Sequence, residues 1–182
     1  MSRRILLVSA CLMGVTSNYK GRAHADWLNV FRVLSPVAKA AGVVFVPVCP
    51  EQLGGLTTPR PPAEMQGTAV AVFENRARVL TVNGLDVTGQ FILGAEMTAH
   101  IASTIGVAGA IMSEKSPSCG VHRVHSGRFD GKLIAGPGLA VQALLRARVP
   151  VVSNEEFARL WNRTDDPEGV QLMKLGWIGS GI

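Results

Sequence analysis

The apolar positions of this chain fall into short continuous runs, which are separated by segments with helical spacing. Three of the runs, Ile5–Ser9, Val43–Val48 and Val107–Met112, are built largely from Val, Ile, Leu and Ala. Continuous apolar runs of this length are typical of strands that are covered on both faces, as in a parallel sheet. Pro150–Val152 is a shorter run of the same kind. The pattern therefore predicts one sheet whose strands come from distant parts of the chain.

Helices are predicted between these strands. After the first run, Asp26 can cap a helix that extends to about Ala41, and Gly42 ends it. Apolar residues recur there at three- and four-residue spacing, namely Trp27, Val30, Phe31, Leu34 and Val37. Pro36 predicts a kink or a break in this helix.

Three more helices are expected further along the chain. One runs from about Val87 to Ile105, with Asp86 or Thr88 as its cap, and a shorter one covers Leu139–Ala147. The sequence Ser153-Asn-Glu-Glu156 matches a capping box, which predicts the start of a last helix. No assignment is made after Pro167.

The remaining segments predict loops and an inserted hairpin. Pro50–Gly67 and Glu114–Gly138 are rich in Pro and Gly or in Gly and Ser, and both are expected to be long loops. Ala69–Phe73 and Arg78–Val82 are predicted to form an antiparallel pair. Together the elements predict a single three-layer Rossmann-like α/β domain over residues 1–182, with a mainly parallel sheet and an inserted β-hairpin.

Composition narrows the possible classes of protein. The chain has 182 residues, of which 47% are hydrophobic and 17% charged, so a folded domain with a sizeable core is expected. No apolar run approaches the roughly 20 residues of a membrane helix, and no signal peptide is recognised, so a cytoplasmic protein without membrane contact is expected. The net charge is +5, but Lys and Arg are scattered. A solvated basic surface explains this charge more simply than an RNA-binding surface does.

The three cysteines of the chain carry the clearest chemical signal. Cys11, Cys49 and Cys119 each follow one of the three apolar runs. Parallel strands place their carboxyl ends along one edge of the sheet, where ligands bind. The three thiols are therefore predicted to converge there.

Three interpretations of these cysteines remain open on the residues alone. They could be small buried apolar residues, although all three begin loops. They could bind zinc, with His122 or His125 as a fourth ligand or with an open position. They could also hold a cubane iron–sulfur cluster with one open iron, although dispersed ligands lack the compact Cys-x-x-Cys signature.

Three segments in order along the chain resemble the thiouracil desulfidase family. They are Ser9-Ala-Cys-Leu-Met-Gly14, Cys49-Pro-Glu with Gly54-Gly-Leu, Pro59-Arg60 and Glu64 downstream, and Ser116-Pro-Ser-Cys-Gly120. The resemblance extends from about Arg4 to Phe157 and includes Asp86-Val-Thr, Phe91 and Gly94-Ala95. Tyr19-Lys20-Gly21 and Gly136-Pro-Gly-Leu-Ala140 depart from the family pattern.

The resemblance implies a 4Fe–4S cluster with one open iron and three cysteine ligands, here Cys11, Cys49 and Cys119. It also implies that sulfur is removed from thiouracil or a related thiolated pyrimidine as sulfide, without net redox chemistry. In the mechanism expected here, the open iron binds the thiocarbonyl sulfur and water attacks the carbon. The cofactor would therefore act as a Lewis acid.

Neighbours of the cysteines are candidates for the remaining roles. Glu51, two residues after Cys49, is the predicted base for the water. Ser116, three residues before Cys119, is predicted to pass a proton or to orient the base ring. Contacts with the substrate are predicted for Ser118, Arg60, Lys115 and His122, with His125 as a further candidate for lining the site. Glu64 is predicted to pair with Arg60.

Two other functions compete with the desulfidase hypothesis. In one, the protein is a metal- or cluster-binding accessory module that holds thiolated RNA, such as tRNA or its nucleosides, or carries sulfur without turnover. In the other, a single cysteine attacks as a nucleophile and forms a persulfide. Repeated turnover would distinguish an enzyme from the accessory module. Single substitutions of Cys11 and Cys49 would leave substantial activity if one cysteine acts as a nucleophile.

Overall fold

The computed structural model describes residues 3–40 and 42–161, and the segment after Pro167 lies outside them. Its helices are α1 (Ala25–Ala40), α2 (Pro50–Leu53), α3 (Ala69–Phe73), α4 (Thr88–Ile105), α5 (Leu139–Arg146) and α6 (Asn154–Trp161). Its strands are β1 (Arg4–Ser9), β2 (Val43–Val48), β3 (Ala63–Met65), β4 (Val79–Thr81), β5 (Gly109–Met112), β6 (Arg123–His125), β7 (Leu133–Ala135) and β8 (Val151–Ser153). No helix in this part of the chain is long and apolar enough to cross a bilayer.

Four parallel strands form the central sheet in the order β2-β1-β5-β8. β1 and β2 pair along their whole length, from Arg4 opposite Val43 to Ser9 opposite Val48. β1 lies between β2 and β5, so the strands that follow β1 along the chain are added on opposite sides of it. Such a reversal of strand order opens a crevice at the carboxyl ends of the strands.

Side chains from both faces of the sheet are buried under helices. Leu6, Val8 and Ile111 pack on one face with Phe31 of α1 and Phe157 of α6. The stacked rings of Phe31 and Phe157 lie 6.0 Å apart. The opposite face buries Leu7 and Met112 against α4 and α5, through residues that include Phe91, Ala95, Leu139 and Leu144. Helices therefore cover both sides of the sheet, and the predicted three-layer Rossmann-like α/β fold is confirmed.

The helix predicted from Asp26 is present, but it has no break at Pro36. α1 continues through Pro36 to Ala40. Leu34 and Ala38, on either side of Pro36, are buried in the core. Packing against the sheet thus stabilises a helix that local propensity would interrupt.

The predicted hairpin is misplaced. Ala69–Phe73 is the helix α3, and the Thr68 hydroxyl caps it by accepting a hydrogen bond from Ala71 N at 3.2 Å. β4 pairs instead with β3, which lies inside the segment predicted to be a loop. Five apolar residues do not distinguish a helix from a strand by periodicity, and the Thr68 cap was missed. A true hairpin, β6–β7, lies in the second predicted loop.

The predicted capping box at the last helix is confirmed. Glu156 N donates to Ser153 Oγ at 3.1 Å, and Ser153 N donates to Glu156 Oε2 at 2.8 Å. At the start of α4, Asp86 Oδ1 accepts a hydrogen bond from Thr88 N at 2.9 Å. Side-chain hydrogen bonds therefore support both helix starts, although the residue at the N-cap of α4 is Val87 and not Asp86 or Thr88.

Candidate active site at the carboxyl ends of the strands

Each cysteine follows the carboxyl end of a neighbouring central strand. Cys11 lies in the 3-10 turn Ala10–Met13 directly after β1, and Cys49 lies between β2 and α2. Cys119 lies in the loop that leaves β5. Because β1 is flanked by β2 and β5, these three positions belong to the same edge of the sheet.

Electrostatic coupling joins the three thiols and Glu51 in one cluster. Burial raises the pKa of Cys11 from 9.0 to about 12, and the nearby Cys49 and Glu51 add to this shift. Burial also raises the pKa of Cys119 well above 9.0, with added effects of Cys11, Glu51 and Cys49, although the Ser9 side chain opposes the shift. Cys11 and Cys119 therefore both experience the charges of Cys49 and Glu51, as the predicted convergence requires.

Close backbone packing positions the Cys49 segment. Pro50 is the first residue of α2, and its carbonyl oxygen lies against Gly94 of α4. A Cβ atom at Gly54 would lie 1.9 Å from the carbonyl oxygen of Gln90, so no side chain fits between the two helices. The Cys49 thiol donates to the carbonyl oxygen of Ser17, with Sγ 3.6 Å away. Helix packing on one side and the loop after Cys11 on the other thus hold Cys49.

Hydrogen bonds from its own loop and from α5 position Cys119. Ser116 Oγ accepts from the amides of Ser118 and Cys119, both at 3.1 Å. At the start of α5, Leu139 N donates to Pro117 O at 2.9 Å and Ala140 N donates to Ser118 O at 3.0 Å. Helix N–H groups that have no partner within α5 are therefore satisfied by the cysteine loop.

The buried side chain of Glu114 stabilises this loop through hydrogen bonds with its backbone. Its side chain is only 3% exposed. Its carboxylate accepts hydrogen bonds from the amides of Val121, His122 and Arg123 at 3.0, 3.0 and 2.8 Å. Glu114 is not among the site residues predicted from the sequence, although a carboxylate just after a buried strand is a usual sign of a site residue.

The two predicted catalytic residues contact each other. The Ser116 hydroxyl donates to Glu51 Oε1 at 3.3 Å. Arg60 Nε donates to the other oxygen, Glu51 Oε2, at 2.6 Å, and Arg60 Nη2 lies 2.5 Å from the same oxygen in an ion pair. The Glu51 and Arg60 side chains are 13% and 6% exposed. A shielded carboxylate thus has one oxygen in an ion pair and the other turned toward Ser116, close to the three thiols.

The three thiols have the soft donor chemistry that an iron–sulfur cluster requires. Within residues 3–40 and 42–161, no three His, Cys, Asp or Glu side chains are grouped as ligands of one ion. Zinc would require sulfurs that all lie about 2.3 Å from one centre. In a cubane cluster each thiolate binds a different iron, so the sulfurs can lie further apart. Three soft thiol donors with hydroxyl and amide groups around them fit such a cluster.

Comparison with known proteins shows the family of the chain. The profile of a family described as 2-thiouracil desulfurase matches residues 6–156. The chain belongs to the 2-thiouracil desulfurase family. The resemblance drawn from its three cysteine segments is thereby confirmed.

Two proteins that are similar to this chain in sequence or structure are informative. An uncharacterized protein of Bacillus subtilis (strain 168), YbbK, is 39% identical over 154 residues, which are 84% of this chain and 97% of the relative. A solved structure described as the [4Fe-4S]-dependent thiouracil desulfidase TudS is 35% identical. It covers 88% of this chain and 97% of its own, with a TM-score of 0.70. The likeness therefore extends over nearly the whole of both proteins.

The residues that are predicted to contact the substrate differ in their exposure and in their partners. Ser118 is buried, Lys115 is exposed, and His122 Nε2 lies 2.9 Å from Glu156 Oε2 at the start of α6. The His122 side chain thus has an acidic partner, and it is 57% exposed. The roles of Ser118, Lys115 and His122 toward substrate stay predictions.

The predicted pairing of Glu64 with Arg60 is wrong. Glu64 Oε2 instead accepts hydrogen bonds from the amides of Gly127 and Phe129 at 2.8 and 3.0 Å. His125 Nδ1 lies 3.9 Å from the other carboxylate oxygen of Glu64. Glu64 therefore stabilises the turn after β6, whereas the partner of Arg60 is Glu51, which precedes it by nine residues.

Proposed function

We propose that this protein is a 4Fe–4S-dependent desulfidase, which converts 2-thiouracil or a related small thiolated pyrimidine to the corresponding oxo compound and sulfide. The observation that carries the proposal is the contact between Glu51 and Ser116 beside three coupled thiols. The family and the TudS structure supply the reaction class and the cofactor.

The overall reaction is a hydrolysis. One water molecule replaces the thiocarbonyl sulfur by oxygen, and the sulfur leaves as hydrogen sulfide or its anion. The carbon keeps its oxidation state, so no electrons enter or leave. The protein must therefore supply a base for the water and a proton for the departing groups, but no reductant.

Cys11, Cys49 and Cys119 would hold the cluster through their thiolates. When bound, the cluster would supply a Lewis-acidic iron that accepts the thiocarbonyl sulfur and makes the adjoining carbon more electrophilic. The raised pKa values of Cys11 and Cys119 indicate thiols that stay protonated without such a positive partner. Binding of the cluster at these positions would thus release protons.

Glu51 is the proposed base. Arg60 occupies Oε2, and Oε1 has only the Ser116 hydroxyl as its hydrogen-bond partner among the described residues. Oε1 is therefore the oxygen that takes a proton from the attacking water. Ser116 is suited to hold Oε1 in place, because its hydroxyl donates to Glu51 while its oxygen accepts from two amides of the Cys119 loop.

Anaerobic purification with iron and sulfide quantitation, followed by a 2-thiouracil assay, tests the proposal. We expect about four irons per chain and repeated release of uracil and sulfide. Cys119→Ala is expected to abolish both iron binding and turnover. Glu51→Gln is expected to keep the iron and to lower kcat by about 10²–10⁴-fold. Glu96→Gln, at an exposed position of α4, is the matched control and should leave both unchanged.

Each contrary outcome points to a named alternative. Stoichiometric retention of thiouracil or thiolated tRNA without turnover would favour an accessory binding module. Turnover by an iron-free preparation, with substantial activity after substitution of Cys11 or Cys49, would favour a thiol nucleophile. Full activity in Glu51→Gln would remove Glu51 from the role of base while leaving the reaction class in place.

A further inference from the structure

Arg60 uses four of its five guanidinium donors in hydrogen bonds within the protein. A guanidinium group carries five N–H donors. Nε donates to Glu51 Oε2 at 2.6 Å and Nη2 donates to Ser17 O at 3.1 Å, while Nη2 also lies 2.5 Å from Glu51 Oε2 in the ion pair. The two Nη1 donors bind Thr57 O at 3.2 Å and Thr58 Oγ1 at 3.0 Å. With a side chain that is 6% exposed, Arg60 has little surface left for a substrate.

The contacts of Arg60 with Glu51 leave one carboxylate oxygen free of Arg60, which matters for the site. The Nε hydrogen bond and the Nη2 ion-pair contact are both with Oε2, whereas a bidentate pair would place one on each oxygen. Oε1 is thereby left to Ser116, which is the side of the carboxylate that belongs to the Cys119 loop. The orientation of the carboxylate about its last bond thus depends on Arg60.

Arg60 is itself held on more than one side. Its backbone N donates to Tyr19 O at 2.9 Å, so the loop after Cys11 fixes its main chain. Its Nη2 shares the Ser17 carbonyl with the Cys49 thiol. Thr58 Oγ1, which accepts from Nη1, also accepts from Gln52 of α2 at 2.9 Å. The guanidinium therefore joins the segments that carry Cys11, Cys49 and Glu51.

We infer that Arg60 is a positioning residue, which orients Glu51 for proton transfer and does not bind the substrate. This replaces the substrate contact predicted for Arg60 from the sequence, and it rests on the proposed function. An ammonium group has three donors on a flexible stem and cannot reproduce the four hydrogen bonds of the planar guanidinium. Arg60→Lys keeps the charge but loses the geometry, so it separates orientation from simple charge pairing.

The test is a double-mutant cycle with Arg60→Lys and Glu51→Gln, using 2-thiouracil. Arg60→Lys alone should lower kcat by about 10²-fold, as misplacement of a catalytic group does, with KM, iron content and visible spectrum unchanged. In the Glu51→Gln background the same change should cost little more, because its effect passes through Glu51. Arg78→Lys, in an exposed ion pair with Asp86, is the matched control and should be silent.

Other outcomes overturn the inference. A raised KM with an unchanged kcat would make Arg60 a substrate contact, and so would losses that multiply in the double variant. Loss of iron in Arg60→Lys would show that Arg60 supports the cluster ligands. Absence of turnover in the unaltered protein would instead contradict the proposed function. The iron content and the visible spectrum of each variant could still be measured in that case.

A milder variant covers the case in which Arg60→Lys does not fold. Thr58→Val removes one acceptor of Nη1 and leaves the Arg60–Glu51 pair formally intact. It should lower kcat by a smaller factor than Arg60→Lys, at unchanged KM and iron content. An unaltered kcat in Thr58→Val would contradict the inference that Arg60 geometry controls Glu51.

Discussion

Gly94 of α4 lies so close to Pro50 of α2 that a Cβ atom added to it would be 1.9 Å from the Pro50 carbonyl oxygen. Backbone atoms of the two helices are in contact here, and α2 begins one residue after Cys49. The approach of these helices therefore positions a predicted cluster ligand and the predicted base Glu51.

Gly94→Ala should destabilise the protein despite a better helix propensity. Alanine gains about 1 kcal/mol over glycine inside a helix, whereas overpacking costs about 3 kcal/mol, so a net loss of about 2 kcal/mol is expected. Gly89→Ala is the matched control, because a Cβ atom at that position of α4 meets nothing within 4 Å. Denaturant unfolding should show Gly89→Ala to be neutral or stabilising. Equal effects of the two changes would contradict the close approach.

Glu114→Gln should weaken the Cys119 loop. The substitution removes the charge that three loop amides share, in a side chain that is 3% exposed. Buried hydrogen bonds to a charged group are each worth about 1.5–3 kcal/mol, so we expect the free energy of unfolding to fall by about 2 kcal/mol or more. Iron retention during dilution should also fall.

Glu155→Gln provides the control for Glu114. Glu155 Oε2 pairs with Arg123 Nη2 at 2.6 Å, but the Glu155 side chain is 41% exposed. Exposed pairs contribute about 0–1 kcal/mol, so this change should have a small effect in the same urea titration. If Glu155→Gln costs as much as Glu114→Gln, burial is not the reason for the importance of Glu114.

The capping box at α6 should contribute to the free energy of unfolding, and this contribution should be lost at acid pH. Burial opposes ionisation of Glu156, but hydrogen bonds from Ser153 and His122 outweigh it and lower the pKa below 4.5. The ionised carboxylate therefore stabilises the fold above about pH 4.5. That contribution disappears as the pH falls through the lower folded pKa. Glu156→Gln should cost about 1 kcal/mol at neutral pH and little at the acid end, as thermal unfolding across this range would reveal.

The thiols of the iron-free protein should resist ionisation. Burial raises the pKa of Cys11 to about 12 and that of Cys119 well above 9.0. Folding therefore favours their protonated forms, and the associated stability is present below pH 9.0 and lost as the pH rises further. In a Cys49→Ser version, thiolate absorbance should rise at a higher pH in the folded protein than in the denatured chain. Coincident titration curves would show that the two thiols are not buried together.

Much of the fold was accessible from the sequence because its central elements are locally encoded. Continuous apolar runs predicted β1, β2 and β5, and the period of Phe31 and Leu34 predicted α1. The helix α3 was mistaken for a strand because five apolar residues suit either structure. Its helical state depends on the Thr68 cap and on the burial of Ala69 and Val72.

The sequence by itself determined the family, the three cysteine positions and the choice of Glu51 and Ser116, because these lie within a few residues of Cys49 and Cys119. Only the tertiary structure decided the partners of the polar side chains. Arg60 binds Glu51 and not Glu64, and Glu114 binds amides of a loop seven to nine residues away. Such partners depend on how separate segments meet in space, and hydrophobic periodicity carries no information on that. The apolar pattern specifies which residues are buried, whereas the packed chain specifies which buried polar groups satisfy one another.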